Sequence, residues 1–372
     1  MSFFIELRNL IRLILLPKHK RRIVFYSENR NYWAHLEGMV NEILNNTNLY
    51  LCYISSNSDD PGLLINHPKY NSFKIDEGSI RNWLFKNIDT DVFVMTMPSL
   101  EKYQIKRSRF PVHYIYTQHS LNSLHMAYEK GAFDFFDTIF CAGPHHIKEI
   151  QAMEKVYQLP KKNLIKHGYY RLESIANMNQ KLNKYNNKNR HILLAPSWGK
   201  NGLIETIGEK VIYKLLKQSF KITLRPHPQT LKFAKEKINK ILKKFDSNPN
   251  FEFDLNVENQ DSLHESDVLI SDWSGTPFEY YFALNKPVFF LDLPKKINNP
   301  DYEEIGIEPF ESYMRTKVGT IITLDDLEDF NKIIKVNDKK IDISEYIYSF
   351  GKSSAVGVEA INRILEDKGF VK

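Results

Sequence analysis

The chain has 372 residues, 42% hydrophobic and 26% charged, which is long enough for two globular domains and too apolar for a disordered protein. Its formal net charge of +6 is too small to indicate a nucleic-acid-binding protein, but it suits an anionic substrate or an anionic membrane surface. The two cysteines, Cys52 and Cys141, lie in apolar runs, which indicates buried thiols in a reducing compartment and not a disulfide framework.

The first predicted element is an amphipathic helix in residues 1–22, which ends at Pro17. A basic collar follows it: Lys18, Lys20, Arg21 and Arg22. The apolar stretch is too short and too charged to span a membrane, and no signal-peptide cleavage site follows it. Two interpretations remain: the helix lies in the membrane interface with the collar toward anionic lipid, or it packs on the protein itself.

Residues 23–172 alternate apolar runs with helical patterns and form the first predicted domain. The predicted strands are residues 23–26, 50–54, 91–95, 112–116 and 138–142, with a helix at 33–44 after the first strand. Most strands are continuously apolar, which indicates that both faces of the sheet are covered. Strands separated by helices predict a parallel sheet.

Residues 173–190 are polar and rich in Asn and Lys, and we predict an interdomain linker there. Residues 191–372 repeat the first pattern and form the second predicted domain. Its predicted strands are residues 191–195, 221–224, 251–254, 267–270, 288–291 and 318–323, and its closing helix is 354–367. The fold class is therefore α/β, with two doubly wound parallel-sheet halves and an active site in the cleft between them.

The most informative segment is residues 267–292, which predicts a strand, a polar turn, a helix and a second strand. The turn contains Ser271, Asp272, Ser274, Gly275 and Thr276. Hydroxyl groups and unpaired N–H groups at a helix start make an anion site, and parallel sheets bind ligands at this edge. The alternative is an ordinary helix cap.

Two histidines follow predicted strands at the same kind of position. His119 is a candidate general base because the unperturbed pKa of histidine lies nearest neutral, and its position at a strand end in the first half lets it face the cleft. His125 falls inside a predicted helix at 122–130, which favours a packed or surface role. In the second half, Arg225 and His227 end a strand, and prolines on both sides of His227 hold it out of a helix. This pair suits a phosphate ester.

The loop at 195–202 contains Ser197 and precedes a helix, so it is a further candidate phosphate-binding loop. It matches neither a P-loop nor a dinucleotide fingerprint. The adjacent pair His145 and His146 has no partners at metal-ligand spacing. We therefore expect no cofactor and no tightly bound metal.

Taken together, these motifs resemble the CDP-glycerol glycerophosphotransferase family of teichoic acid and capsule polymerases and primases. The resemblance covers residues 110–295 and depends on the His119 strand end, on 168–171, 195–198 and 225–228, and above all on 266–274. It implies a GT-B fold, made of two Rossmann-like domains. It also implies an enzyme that transfers glycerol phosphate from CDP-glycerol to a hydroxyl acceptor, releases CMP and works at the inner face of the cell membrane.

By position, His119 is similar to the family's proposed base on the acceptor hydroxyl, and His227 to its histidine on the donor phosphates. Ser271, Asp272, Ser274 and Thr276 are similar to the pyrophosphate-binding turn. Glu279 is similar to an acidic residue near the donor.

Three functional hypotheses follow. The first is a polyol-phosphate transferase that contacts the membrane peripherally through residues 1–22, with a nucleotide-activated polyol as donor and a glycan or lipid-linked acceptor. The second is a GT-B glycosyltransferase that uses a nucleotide sugar, since the same residues suit either leaving group. The third is a non-catalytic nucleotide-binding protein at the membrane.

Overall fold

The computed structural model describes residues 2–179, 190–255, 260–334 and 341–369. Within these residues the chain forms two parallel β-sheets, of seven and six strands, with helices on their faces. The first sheet contains β1 Ile23–Ser27, β2 Leu51–Ser55, β3 Tyr70–Lys74, β4 Val92–Met95, β5 His113–Thr117, β6 Thr138–Cys141 and β7 Asn163–Lys166. The second contains β8 His191–Leu194, β9 Lys221–Leu224, β10 Phe251–Phe253, β11 Val268–Ser271, β12 Val288–Leu291 and β13 Thr320–Ile322.

The helices in the described residues are α1 Ser2–Leu15, α2 Trp33–Asn46, α3 Ser79–Asn87, α4 Leu124–Ala127, α5 Pro144–Tyr157, α6 Tyr170–Asn179, α7 Leu203–Thr206, α8 Gly208–Lys217, α9 Pro228–Phe233, α10 Lys235–Phe245, α11 Asp261–Glu265, α12 Thr276–Leu284, α13 Phe310–Val318, α14 Phe330–Ile333 and α15 Ser353–Asp367. Cys52 and Cys141 are buried and free, as the sequence indicates.

Both sheets have the strand order of a doubly wound fold. The first runs β3-β2-β1-β4-β5-β6-β7, and the second runs β10-β9-β8-β11-β12-β13. The order reverses between β1 and β4 in the first sheet and between β8 and β11 in the second. Because loops diverge at these points, the polar segments after β8 and β11 border an open crevice. The predicted fold class is confirmed.

The sequence did not predict β3 and β7, which are the two edge strands of the first sheet. Only Tyr70 and Phe73 are buried in β3, and no residue of β7 is fully buried. An edge strand lacks the continuous apolar run of a central strand, because one side of it faces solvent.

Four apolar clusters stabilise the fold, and one of them joins the two halves. In that cluster Leu121, Tyr169 and Leu172 of the first half pack with Leu193 and Phe278 of the second. The cleft is therefore built on a shared buried base.

The last helix, α15, packs against the first sheet. Val358, Ile361 and Leu365 belong to the same core as Ile23 and Leu36, and α15 contacts α2. The sequence places 191–372 in one domain, so the structure differs from that division. An amphipathic helix shows that an apolar face must be covered, but it does not show by which sheet.

The predicted linker at 173–190 begins inside a helix. Residues 173–179 belong to α6, which packs against both α2 and α12, and Ile175 is fully buried. Residues 180–189 lie outside the described residues. A helix that uses only part of its surface for packing remains polar on average, which hid α6 in the sequence.

The N-terminal helix α1 packs on the protein along one side, where Leu10 and Leu13 are buried. Its outer side leaves Phe4 75% and Leu15 76% exposed. The basic collar is largely engaged elsewhere, since Lys18 and Arg21 pair with Asp89, and Arg22 pairs with Asp91. In the described residues, no helix combines the length and apolar character needed to cross a membrane.

Candidate active site

A cleft with a cavity volume of about 410 Å³ lies between the two halves at the carboxyl ends of the strands. Its wall on the first half includes Asn29, Asn31, Tyr32, His35, His119, Ser120, Asn122, Tyr128 and Arg171. Its wall on the second half includes Ser197, Trp198, His227, Trp273, Ser274, Gly275, Thr276, Glu279, Lys296 and Glu311. The cleft therefore brings together most of the predicted site residues from segments far apart in sequence.

His119 follows β5 and reaches the cleft with its ring fixed by three polar atoms. Nδ1 lies 3.0 Å from the Thr96 carbonyl and 3.2 Å from the Tyr116 hydroxyl, and Nε2 lies 3.2 Å from the Tyr128 hydroxyl. A carbonyl oxygen only accepts, so this geometry places the proton on Nδ1 and leaves the lone pair on Nε2. Burial lowers the pKa of His119 to about 4. The ring is therefore neutral at pH 7 and able to accept a proton through Nε2.

The loop that carries His119 is fastened by the two adjacent histidines of α5. His145 Nε2 lies 2.9 Å from the Leu121 carbonyl, and His146 Nε2 lies 3.0 Å from the Asn122 carbonyl. Both rings are buried, and burial lowers the pKa of each. The pair is a structural support for the cleft.

His227 has the opposite tautomer. Its Nδ1 accepts the backbone N–H of Gln229 at 3.1 Å, where it caps α9, so the proton of the neutral ring lies on Nε2. Burial, and then the positive charge of Lys296, lower the pKa of His227 to about 3. His227 is therefore a neutral hydrogen-bond donor on the second wall of the cleft.

The polar turn before α12 lies on the cleft wall, close to Ser120 of the first half. The N–H of Thr276 donates to Ser274 Oγ at 3.3 Å, and Ser274, Gly275 and Thr276 all line the cleft. A Cβ added at Gly275 would meet Ser120 Oγ at 2.7 Å, so a larger residue here would force the Ser120 side chain or the turn to shift. The start of α12 offers positive partial charge toward the cleft.

Two predicted residues of this turn have structural roles. The Asp272 carboxylate accepts the N–H of Ser197 at 2.7 Å and that of Leu203 at 2.9 Å, and Ser271 Oγ donates to the Ala195 carbonyl at 2.7 Å. Both side chains are buried and neither lines the main cleft, although Asp272 borders the adjoining cavity. They fix the 195–203 loop, which places Ser197 on the cleft wall.

Arg225 does not line the cleft either. It is 5% exposed, and its guanidinium donates to Ser262 Oγ at 3.1 Å. Burial, and then the nearby charge of Arg171, lower the pKa of Arg225 to about 10. The predicted direct contact of Arg225 with phosphate does not match this position, because the strand end fixes where the backbone lies but not where a long side chain points.

Glu279 lies in the first turn of α12 and joins the two halves. Its carboxylate accepts the Tyr169 hydroxyl at 2.8 Å and the Arg171 Nε–H at 3.0 Å. The Arg171–Glu279 pair is almost fully buried, with side-chain exposures of 8% and 7%. Glu279 thus lines the cleft as predicted, in an ion pair with Arg171.

A further interdomain contact is made by a carboxylate at the start of α13. Glu311 accepts both the backbone N–H and the hydroxyl of Ser123 at 2.8 Å. His125, next to it in space, is buried 3.3 Å from Glu149 and bonds the Ile307 carbonyl, so the expected packed role is observed, although α4 is shorter than predicted.

The sequence did not select Tyr128, Arg171, Trp198 or Lys296 as site residues, although all four line the cleft. Lys296 follows β12 and obeys the same strand-end rule that selected His119. Arg171 belongs to the 168–171 motif that carries the family resemblance, without a role of its own there, and Tyr128 lies outside these motifs. In the described parts of the chain, no group of three or more His, Cys, Asp or Glu side chains is arranged to hold a metal ion.

Comparison with solved structures identifies the fold as a two-domain GT-B fold. Two structures of the wall teichoic acid polymerase TagF soaked with CDPG have TM-scores of 0.58 and 0.59, identities of 16% and 17%, and cover 100% and 99% of this chain and 99% and 98% of theirs. A UDP-GlcNAc 2-epimerase from Methanocaldococcus jannaschii, in complex with UDP-GlcNAc and UDP, has a TM-score of 0.61 and 15% identity, over 91% of this chain and 99% of that one. At these identities the likeness shows the fold.

The family model of CDP-glycerol:poly(glycerophosphate) glycerophosphotransferases matches residues 9–296, so the chain belongs to this family. The match confirms the resemblance and extends it through most of the first half. A comparison with curated proteins found no match.

Proposed function

We propose that this protein transfers glycerol phosphate from CDP-glycerol to a hydroxyl group of a teichoic-acid-type or capsule polymer and releases CMP. The observation that carries the proposal is a pair of neutral imidazoles on opposite walls of one cleft, His119 with an unprotonated Nε2 beside the Tyr128 hydroxyl and His227 with an Nε2–H donor. One accepts a proton and the other donates a hydrogen bond to phosphate. Membership of the glycerophosphotransferase family supports the choice of donor.

In the proposed reaction His119 Nε2 takes the proton of the acceptor hydroxyl, and that oxygen attacks the glycerol-side phosphorus of the donor. The new O–P bond forms as the bond to the CMP phosphate oxygen breaks, and CMP leaves with the electron pair. His227 and the start of α12 stabilise negative charge on the phosphates, because phosphoryl transfer depends mainly on positioning and electrostatics. With charge stabilised by protein groups, we expect turnover to survive EDTA.

The wall near His119 suits a hydroxyl-rich acceptor. Asn29, Asn31, His35 and Asn122 line the cleft there. The buried atoms His35 Nδ1 and Asn122 Oδ1 have no hydrogen-bond partner within the described chain. Buried polar atoms normally have partners, and acceptor hydroxyl groups would supply them.

The first experiment is thermal unfolding of the full-length protein with CDP-glycerol, CDP-ribitol and a panel of nucleotide sugars. A ligand that binds only the folded state raises the melting temperature, by an amount set by its concentration relative to Kd. We expect a shift with the CDP-polyols, followed by CMP release when an acceptor is added. A shift with a nucleotide sugar alone would favour the glycosyltransferase, and donor binding without CMP release would favour a non-catalytic protein.

We also propose that α1 rests on the cytoplasmic face of the cell membrane. One side of α1 carries an apolar stripe at helical spacing, in which each residue is at least 36% exposed: Phe3, Phe4, Leu7, Ile11, Ile14 and Leu15. Arg8 and Arg12 are exposed beside this stripe. An apolar stripe flanked by arginines suits the interface of an anionic bilayer. In this arrangement Arg8 and Arg12 face the lipid headgroups, because most of the basic collar is already paired with Asp89 and Asp91.

Sedimentation with phosphatidylglycerol-containing vesicles tests this contact. We expect Phe4→Glu and Ile11→Glu together to abolish binding, because they place charge in the stripe. Leu64→Glu is the matched control, since Leu64 is an 81% exposed leucine away from α1. Equal binding by the wild type and the α1 variant would remove the proposed contact.

A further inference from the structure

A CDP-activated donor brings two linked phosphates into the cleft, and the arginine that the sequence predicts for them does not line it. Arg225 is buried outside the cleft lining, and Arg171 is paired with Glu279 at 3.0 Å. His227 is neutral because its pKa is lowered to about 3. Transfer of a diphosphate out of water into such a cleft requires a further positive charge near it.

Lys296 supplies a cation on the cleft wall. Its Nζ lies 4.3 Å from the centroid of the Trp198 ring, and both residues line the cleft and the smaller cavity beside it. No carboxylate in the described residues lies within 4.0 Å of Lys296 Nζ, whereas Arg171, another cation of the cleft wall, is paired with Glu279. The indole face holds the ammonium without neutralising its charge.

The segment that carries Lys296 is fixed across the cleft. Asn299 donates through Nδ2 to the His125 carbonyl at 2.9 Å, and the backbone N–H of Asn298 donates to the Met126 carbonyl at 3.1 Å. Trp198 also contacts the ring of His227, with 6.0 Å between centroids. The Trp198 indole thus contacts both Lys296 and His227, the proposed hydrogen-bond donor to phosphate. The loop that carries Lys296 is anchored to the opposite half.

The electrostatic surroundings favour binding of an anion. Burial lowers the pKa of Lys296 to about 8, and the more distant carboxylates of Asp272 and Glu205 oppose the shift. Asp272 is already bound to two backbone N–H groups. The ammonium has therefore lost hydration without gaining an ion pair, and an incoming phosphate would restore its contacts.

We propose that Lys296, held on the face of Trp198, binds the diphosphate of the nucleotide donor and stabilises the leaving phosphate. The proposal rests on the proposed function in taking a nucleoside-diphosphate-linked donor. It adds Lys296, placed by its position on the cleft wall and its contact with Trp198, to the binding residues His227 and Ser274–Thr276.

The test measures dissociation constants of CDP-glycerol, CDP and cytidine by calorimetry, with the full-length protein. Lys296→Gln is expected to weaken CDP-glycerol and CDP by about 10- to 100-fold, the usual worth of a hydrogen bond to a charged group, and to leave cytidine unchanged. Lys296→Arg keeps the charge and should stay within a few-fold of the wild type. Lys295→Gln is the matched control, because Lys295 is exposed and borders only the smaller cavity.

Unchanged CDP affinity in Lys296→Gln would overturn the inference, and so would an equal loss for cytidine, which would indicate a general disturbance of the cleft. The melting temperature of each unliganded variant reports whether it folds. The proposed function and the Lys296 inference fail separately. A wild-type protein that binds another nucleoside diphosphate but not CDP-glycerol would overturn the proposed donor. The comparison of Lys296→Gln with the wild type is then made with that nucleotide. A wild type that binds no nucleoside diphosphate overturns both.

Discussion

At the scale of single residues, the tautomers of the two cleft histidines decide what each can do. The Thr96 carbonyl directs the proton of His119 to Nδ1, and the Gln229 N–H directs that of His227 to Nε2. Exchange of the two roles would require both rings to break these backbone contacts. The backbone contacts thus make the histidine of the first half the candidate base, and the histidine of the second half the candidate hydrogen-bond donor to phosphate.

The lowered pKa of His119 gives a prediction about pH. Because burial lowers it to about 4, the neutral base is the main form above that value and is lost only as the pH falls through it. We expect kcat to be nearly constant from about pH 5.5 to about pH 7.5, whereas a histidine with the ordinary pKa of about 6.5 would lose about tenfold over that range. The measurement is kcat at saturating donor across this interval.

Substitution of His119 gives a second prediction, about turnover. His119→Ala should lower kcat by about 10²- to 10⁴-fold and leave donor affinity almost unchanged, since a base acts on the acceptor. His19→Ala, at an exposed histidine beside Tyr50, is the control. Turnover of His119→Ala close to that of the wild type would exclude His119 as the base.

The sequence located site residues better than it located their side chains. Glu279 is expected in the site from the family resemblance alone, whereas His119, His227 and Ser274 are expected there because they follow strands or precede a helix. All four line the cleft. Asp272 and Arg225 were selected by the same rule, yet both turn into the protein and bind backbone or Ser262. Strand ends predict backbone position, while side-chain direction depends on partners far away in sequence.

At the scale of elements, the turn before α12 brings Gly275 close to Ser120 of the first half. Gly275→Ala should lower kcat/KM by about 10- to 100-fold, because its Cβ would meet Ser120 Oγ at 2.7 Å and displace the turn from the first half. Ser120→Ala removes that oxygen. The double variant should therefore recover much of the activity, with Ser120→Ala alone as the control.

An unimpaired Gly275→Ala, or a double variant no better than the single one, would show that the two halves are not in tight contact at this turn during turnover. The turn itself was predictable from hydroxyls, Gly and Pro before an apolar helix. Its approach to Ser120 was not, because that contact joins positions from the two halves of the chain.

At the scale of the whole molecule, the chain returns to its first half after completing the second. The helix α15 closes a core that includes Ile23, Leu36 and Leu51, and it contacts α2, β4 and β7. Together with α6, it makes two connections between the halves. The relative position of the cleft walls therefore depends on the C-terminal helix as well as on the cleft residues.

This return predicts which half loses stability when α15 is weakened. Ile361 is fully buried in the core of the first sheet, so Ile361→Ala should lower the free energy of unfolding by about 2–5 kcal/mol. Hydrogen exchange should then lose protection in β1 and β2 before β8 and β11, since local opening follows the core that has been damaged. Arg363→Ala, at an exposed position of the same helix, should change neither quantity. Loss of protection confined to the second sheet would instead support the single domain of residues 191–372 that the sequence indicates.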